Sequence, residues 1–162
     1  FDFADKFYLS DFILSITVEE GNEYFKVVND TLYSIDGSIL YRYFGEEANV
    51  VIPEGVVKIM MGAFKYNTAI ETITFPSTLK AIGDKAFYGC VGLTNLTFLS
   101  EQAPSLEGLW DGDWYQYPYG NFVDYVEMLE DYLPITIYCS GDDSYHTIIW
   151  DSYFQEIVDA NN

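Results

Sequence analysis

The sequence is poor in cysteine, in histidine and in positive charge, and each shortage removes a kind of chemistry. Its two cysteines, Cys90 and Cys139, allow at most one disulfide and stand in no CxxC or Cys/His cluster. Zinc and iron–sulfur centres therefore have no ligand set. His146 is the single imidazole, so a Ser-His-Asp or Cys-His mechanism would have to run through it, and no nucleophile motif lies nearby. Lysine and arginine total 7 against 26 acidic residues, a formal charge of −19. A surface of that sign repels phosphate backbones and anionic lipid, which argues against nucleic-acid and membrane-surface partners. No stretch approaches the ~18 apolar residues of a membrane-crossing helix, so membrane insertion is not expected. The opening FDFADKF has no basic n-region and is not read as a signal peptide.

What the chain does have is core material. Of 162 residues, 49% are hydrophobic and 19% aromatic, too much for a disordered polymer and a suitable length for one domain. That material is periodic. Val50–Thr72 aligns with Ile73–Asn95 at a spacing of 23 residues, with identity at Pro53/Pro76, Ile59/Ile82, Ala63/Ala86 and Phe64/Phe87. Val50/Ile73, Ile52/Phe75, Val56/Leu79 and Ile70/Leu93 keep their apolar type while the sites between them vary. A third copy opens at Leu96 and departs. Upstream, Phe7, Ile13, Ile16 and Val18 match Phe64, Ile70, Ile73 and Phe75 at an offset of 57, one repeat plus a 34-residue insertion.

One unit can be read physically. Ile73-Thr74-Phe75 alternates as a short strand does, and Pro76, with no N–H, ends the pairing. Leu79, Ile82, Ala86 and Phe87 then return at three- and four-residue spacing, which predicts a helical or 3₁₀ segment on the opposite wall. Asn67 and Cys90 share the slot where the chain turns towards the next strand and can cap backbone groups there. No unit closes a core alone. Stacking at ~4.8 Å per strand would put Phe64 over Phe87 inside a parallel ladder. A period of 20–29 residues is that of leucine-rich repeats.

These motifs resemble the BspA-like (Treponema-type) leucine-rich repeats, most clearly over residues 52–73 and 75–96. The run Asn22…Phe25…Asp30…Tyr33-Ser-Ile-Asp36-Gly37…Leu40 is similar to a recurrent module of that family. Read from its residues it is two alternating runs joined by a tight primed turn at Asp36-Gly37, a β-hairpin. Residues 134–157, with Trp150 and Phe154, are similar to the family's closing unit. The expected fold is thus an α/β leucine-rich-repeat solenoid: a short parallel β-ladder with helical or 3₁₀ returns, one hairpin insertion and a C-terminal cap with short helices. The expected divisions are a partial repeat (1–18), the hairpin insertion (19–49), two repeats (50–98), an aromatic loop with an amphipathic helix (99–133) and the cap (134–162). The chain is expected to be part of a longer surface protein; the alternative is a short complete chain whose signal peptide has been removed.

Candidate sites follow from the same pattern. Thr17, Thr74 and Thr97 take the outward slot between inward strand residues, and Ser15, Thr72 and Asn95 sit two positions earlier. They would line the concave side as a polar stripe, either as good ladder residues or as a ligand surface. The loop holding Trp110, Trp114, Tyr115, Tyr117 and Tyr119, interleaved with Asp111 and Asp113, suits sugar faces or a protein hot spot, or folds back over the last repeat. Asp111/Asp113 and Asp142/Asp143 leave calcium open, although neither fits the twelve-residue EF pattern. Asp143 or Ser144 is the expected cap of a following helix. Phe122, Val126, Leu129 and Leu133 form one face of a helix whose other face is acidic. No cofactor is implied. Among enzymes only a carboxylate-pair glycosidase survives the composition.

The resemblance implies a non-catalytic interaction or adhesion module at the cell surface or outside the cell. Its partner would be a protein or the extracellular matrix; a carbohydrate-binding module using residues 110–119 is the alternative. Oligomeric state is left open.

Overall fold

A computed structural model describes residues 13–106, 133–139, 143–145 and 154–159. The alternating runs become strands. Thr72–Phe75 and Asn95–Phe98 each bury their second and fourth residues and turn the first and third outwards. In chain order the strands are β1 Phe25–Val28, β2 Thr31–Ser34, β3 Ile39–Tyr43, β4 Asn49–Val51, β5 Lys58–Ile59, β6 Thr72–Phe75, β7 Ala81–Ile82, β8 Asn95–Phe98, β9 Ser105–Leu106, β10 Leu133–Cys139 and β11 Phe154–Asp159. They form two sheets, one ordered β1-β2-β3-β5-β7-β9 and the other β11-β10-β8-β6-β4.

The second sheet is parallel throughout. Val50 faces Ile73, Ile73 faces Leu96, Leu96 faces Ile137 and Ile137 faces Ile157. In the first sheet Leu40, Ile59, Ile82 and Leu106 align in turn. The third copy therefore completes its coil through β9 before the chain departs.

Between the sheets the rings stack in two columns. Phe64 lies over Phe87 at 5.2 Å and 18° between planes, with Tyr43 continuing the column at 5.5 Å from Phe64. Phe75 lies over Phe98 at 4.5 Å, and Tyr145 stands 5.8 Å beyond Phe98. Phe75 and Phe87 join the columns edge-on at 5.9 Å. Phe64, Phe75, Phe87 and Tyr145 have no exposed surface. Each buried ring contributes roughly 1.5–3 kcal/mol of transfer free energy.

The returns differ from the helical expectation. Each is a two-residue strand followed by a run of turns over 61–66 and 84–89. Alternate turn N–H groups reach the next coil: Gly62 N donates to the Asp84 carbonyl (2.9 Å), Phe64 N to Ala86 (2.8 Å) and Tyr66 N to Tyr88 (2.6 Å), while Ala63 N and Lys65 N bond three residues back, to Met60 and Gly62. Left-handed residues interrupt any helix. One slot holds Gly62 (φ 63°) and then Lys85 (φ 51°), another Tyr66 (φ 62°) and then Gly89 (φ 77°). Glycine occupies each slot without steric cost, while Lys85 and Tyr66 meet the Cβ penalty.

The insertion is a three-stranded antiparallel meander, where a single hairpin was expected. Asn29 (φ 47°) and Asp30 (φ 54°) both adopt the left-handed conformation, so the two-residue primed turn lies there, between β1 and β2. The Asp36-Gly37 link instead closes with Gly37 N donating to the Ser34 carbonyl at 2.8 Å. Gly37 alone has positive φ there, 81°, so this link is not the two-residue primed turn. The β2–β3 ladder also shifts register farther along, between Leu32 and Tyr33. Asp36 Oδ1 accepts from Ser34 Oγ (2.6 Å), Ser38 N (2.9 Å) and Ser38 Oγ (2.8 Å). These bonds, led by that from Ser34, hold its carboxyl down at about 2.

At the C-terminal side β10 and β11 extend the parallel sheet, with a 3₁₀ turn at Asp143–Tyr145 between them. Among the described residues this turn is the only helical element. Leu133, expected on a helix face, begins β10. Trp150 of the expected closing unit, the rest of the amphipathic stretch and His146 lie outside the described residues.

Candidate functional site

The outward face of the parallel sheet is the surface on which the repeat displays side chains in register. One row runs Asn49, Thr72, Asn95, Thr136, and a second runs Val51, Thr74, Thr97, Tyr138. Rungs are ~4.8 Å apart, so like atoms recur at that spacing along each row. Thr72 Oγ1 donates to Asn49 Oδ1 at 2.7 Å, which fixes both side chains. Val51 is 72% exposed and Tyr138 40%, while Thr72, Thr74, Asn95 and Thr97 are half-buried. The face is thus a neutral strip of amide, hydroxyl, methyl and phenol groups.

Four of the sequence-expected residues, Thr72, Thr74, Asn95 and Thr97, come together here. Thr17 does not: it is exposed in a stretch without strand pairing, residues 13–18. Trp110, Trp114, Tyr115, Tyr117, Asp111, Asp113 and Asp142 lie outside the described residues. Asp143 is exposed, and Ser144 Oγ accepts from Ala103 N at 2.8 Å. That bond ties the turn to the preceding coil, where a helix cap was expected. Among the described residues no group of three His, Cys, Asp or Glu is placed to hold a metal.

The reasoning from sequence missed Val51 and Tyr138. The alternation Ile135-Thr-Ile-Tyr138 carried the signal for the second, since Ile135 and Ile137 are buried and Tyr138 is not. It also missed Arg42, buried on β3, whose Nη1 donates to the Gly62 carbonyl and Nη2 to the Lys65 carbonyl at 3.1 Å. Together with Tyr43 N, which donates to Ala63 (2.9 Å), the guanidinium replaces the N–H groups of a preceding turn.

Among the described residues, burial and hydrogen bonds set the state of three titratable groups. Burial pushes the Cys90 thiol up to about 12, and Cys90 Sγ donates to the Phe64 carbonyl at 3.1 Å. Asn67, in the same slot one coil earlier, accepts from Ala69 N and Ile70 N through Oδ1. Glu54 is exposed; its Oε1 accepts from Ser77 N and its Oε2 from Ser77 Oγ, both at 2.9 Å. Those bonds, the backbone one first, lower its pKa. Asp36 and Glu54 are thus held ionised, the opposite of what a general acid requires.

Coils of one length, rings stacked coil on coil and an Asn/Cys slot at each turn form one signature. Residues 29–107 match the BspA type leucine rich repeat region in six copies. Residues 29–107 are thus a BspA-type leucine-rich repeat region. Among solved structures, a leucine-rich cell-surface protein from Faecalibacterium prausnitzii A2-165 is 21% identical over 53% of this chain and 26% of its own, at a TM-score of 0.43. The T. pallidum leucine-rich repeat protein is 19% identical over 87% of this chain and 50% of its own (TM-score 0.40). The pneumococcal vaccine antigen PcpA is 14% identical over 90% and 50% (TM-score 0.42). The chain thus spans between a quarter and a half of the length of these three proteins. No curated protein matches the sequence. Among the described residues no helix is long and apolar enough to cross a membrane.

Proposed function

We propose that this leucine-rich repeat region is a non-catalytic interaction module of a bacterial cell-surface or secreted protein. Its contact face is the two-row stripe Asn49–Thr72–Asn95–Thr136 and Val51–Thr74–Thr97–Tyr138, which forms the inner side of a solenoid. The carrying observation is that register: eight outward residues align rung by rung on one parallel sheet. A partner docking there meets preorganised groups and loses little entropy in ordering them. The neutral strip also lets a protein surface approach a chain that is otherwise strongly anionic. Residues 134–162 serve in this reading as the C-terminal cap of the stack.

The test is a binding screen of the purified chain against extracellular-matrix proteins and a glycan array. Thr74→Arg/Thr97→Arg places two bulky cations on the stripe. The expected result is that a matrix protein binds and that the double variant loses at least about tenfold in affinity, or ~1.4 kcal/mol, with an unchanged melting curve. Full affinity in that variant overturns the reading. Binding to glycans alone, abolished by Trp110→Ala/Trp114→Ala, replaces it with the carbohydrate module.

A further inference from the structure

The two sheets are unequal at their N-terminal end. Strand β3 pairs with β5 and so occupies the rung before the β4–β5 coil. Beside β4, among the described residues, the parallel sheet has no strand at that rung. Strands β2 and β1 carry the other sheet two rungs further still. Under this overhang a cleft of about 630 Å³ runs along β4, with Tyr33, Tyr43, Val50, Val51 and Ile52 among its walls.

We propose that Ser15–Val18 docks along β4 as one further parallel strand and fills that rung. Four observations point to this segment. Its residues match Thr72–Phe75 at an offset of 57 and Asn49–Ile52 at 34, so Ser15 comes beside Asn49, Ile16 beside Val50, Thr17 beside Val51 and Val18 beside Ile52. Ile16 and Val18 are half-buried while Ser15 and Thr17 are exposed, the alternation of a strand with one covered face. Ile, Thr and Val are β-branched residues suited to a pleated ladder.

The fourth observation is the connection. Residues 52–57, 76–80 and 99–104, five or six in each case, link the two sheets in successive coils, and residues 19–24 between Val18 and Phe25 are again six. From the vacant rung to β1 the chain must cross ~10 Å between sheets and two ~4.8 Å rungs, about 14 Å in all. Six residues extend to about 20 Å, so the link closes. Docking buries Ile16 and Val18 against Val50 and Ile52 and pairs the open edge of β4, removing a template for unwanted strand addition.

The functional consequence rests on the reading of the stripe as the interaction surface: Ser15 and Thr17 each add a fifth member to one row. The strand itself does not depend on that reading. Outward neighbours on adjacent rungs stand ~4.8 Å apart at Cα, within disulfide range. Thr17→Cys/Val51→Cys is therefore expected to form an intramolecular disulfide on mild oxidation, read as a mobility shift on a non-reducing gel and assigned by peptide mapping. Thr17→Cys/Thr74→Cys, two rungs apart at ~9.6 Å, is expected to stay reduced. Equal cross-linking in both variants, none in the first, or a bond only between two molecules overturns the docked strand. The matrix-binding result with Thr74→Arg/Thr97→Arg stands or falls separately, because trapping involves no partner.

Discussion

Phe87 touches both aromatic columns, stacked on Phe64 at 5.2 Å and edge-on to Phe75 at 5.9 Å. Truncating it leaves a cavity between two coils whose backbones are hydrogen-bonded to each other and cannot collapse. Phe87→Ala is expected to cost about 3–5 kcal/mol, seen as a lower midpoint in urea denaturation. A second residue-scale effect is set by Asp36. Its folded pKa of about 2 lies below the ordinary aspartate value of 3.8, so its carboxylate bonds stabilise the fold above the unfolded value and lose that effect as pH falls through the folded one. The stability difference between the wild type and Asp36→Asn is therefore expected to be constant from neutral pH to about 4 and to shrink between about 4 and 2. Melting temperatures at a series of pH values check it. A difference independent of pH would contradict the assignment.

At the scale of elements, the close approach of successive turns makes one glycine hard to replace. A Cβ on Gly83 would stand 2.4 Å from Met61 N and 2.7 Å from Met60 C. These are backbone atoms of the preceding coil, fixed by their own ladder, so Gly83→Ala is expected to destabilise by ~1–3 kcal/mol, again measured by denaturant midpoint. The elements also show where sequence reasoning ends. Ile73, Leu96, Phe64 and Phe87 were legible because inward residues must stay apolar in every coil, and burial leaves a periodic trace. The Asn67/Cys90 slot was legible because its polar role repeats. The returns were misread because apolar spacing reports which side chains face inwards and not which backbone groups pair. A turn run and a helix bury Ile82, Ala86 and Phe87 alike. Nothing in the residue types Tyr66 and Lys85 announces a left-handed backbone, whereas Gly62 and Gly89 in the matching slots do. Arg42 was invisible for another reason: it acts once, at the end of the turn ladder, and a period cannot reveal a residue that occurs outside it. In the candidate stripe, Thr72, Thr74, Asn95 and Thr97 followed from alternation, the same signal that Tyr138 carried, whereas Val51 needed the register of β4.

For the whole molecule, charge and connectivity are both uneven. All 7 basic residues fall within the first 85 positions, while the 26 acids are spread along the chain, so repulsion is strongest towards the C-terminal half. Cohesion comes from contacts between neighbouring coils, with bonds such as Thr72 to Asn49 and Ser77 to Glu54 spanning 23 residues each. The hydrogen bonds between strands lie along the stacking axis, and tension on that axis loads one rung before the next. Pulled from its ends, the stack is expected to peel in succession. Each released 23-residue coil would lengthen the tether by roughly 71–78 Å, at ~3.3–3.6 Å per residue less one ~4.8 Å rung. An optical-trap record should show repeated steps of that size at low force, and a single rip of the entire chain would contradict it. A stack that peels in this way would act as an extensible leash, yielding in fixed increments under load and rewinding when the load falls.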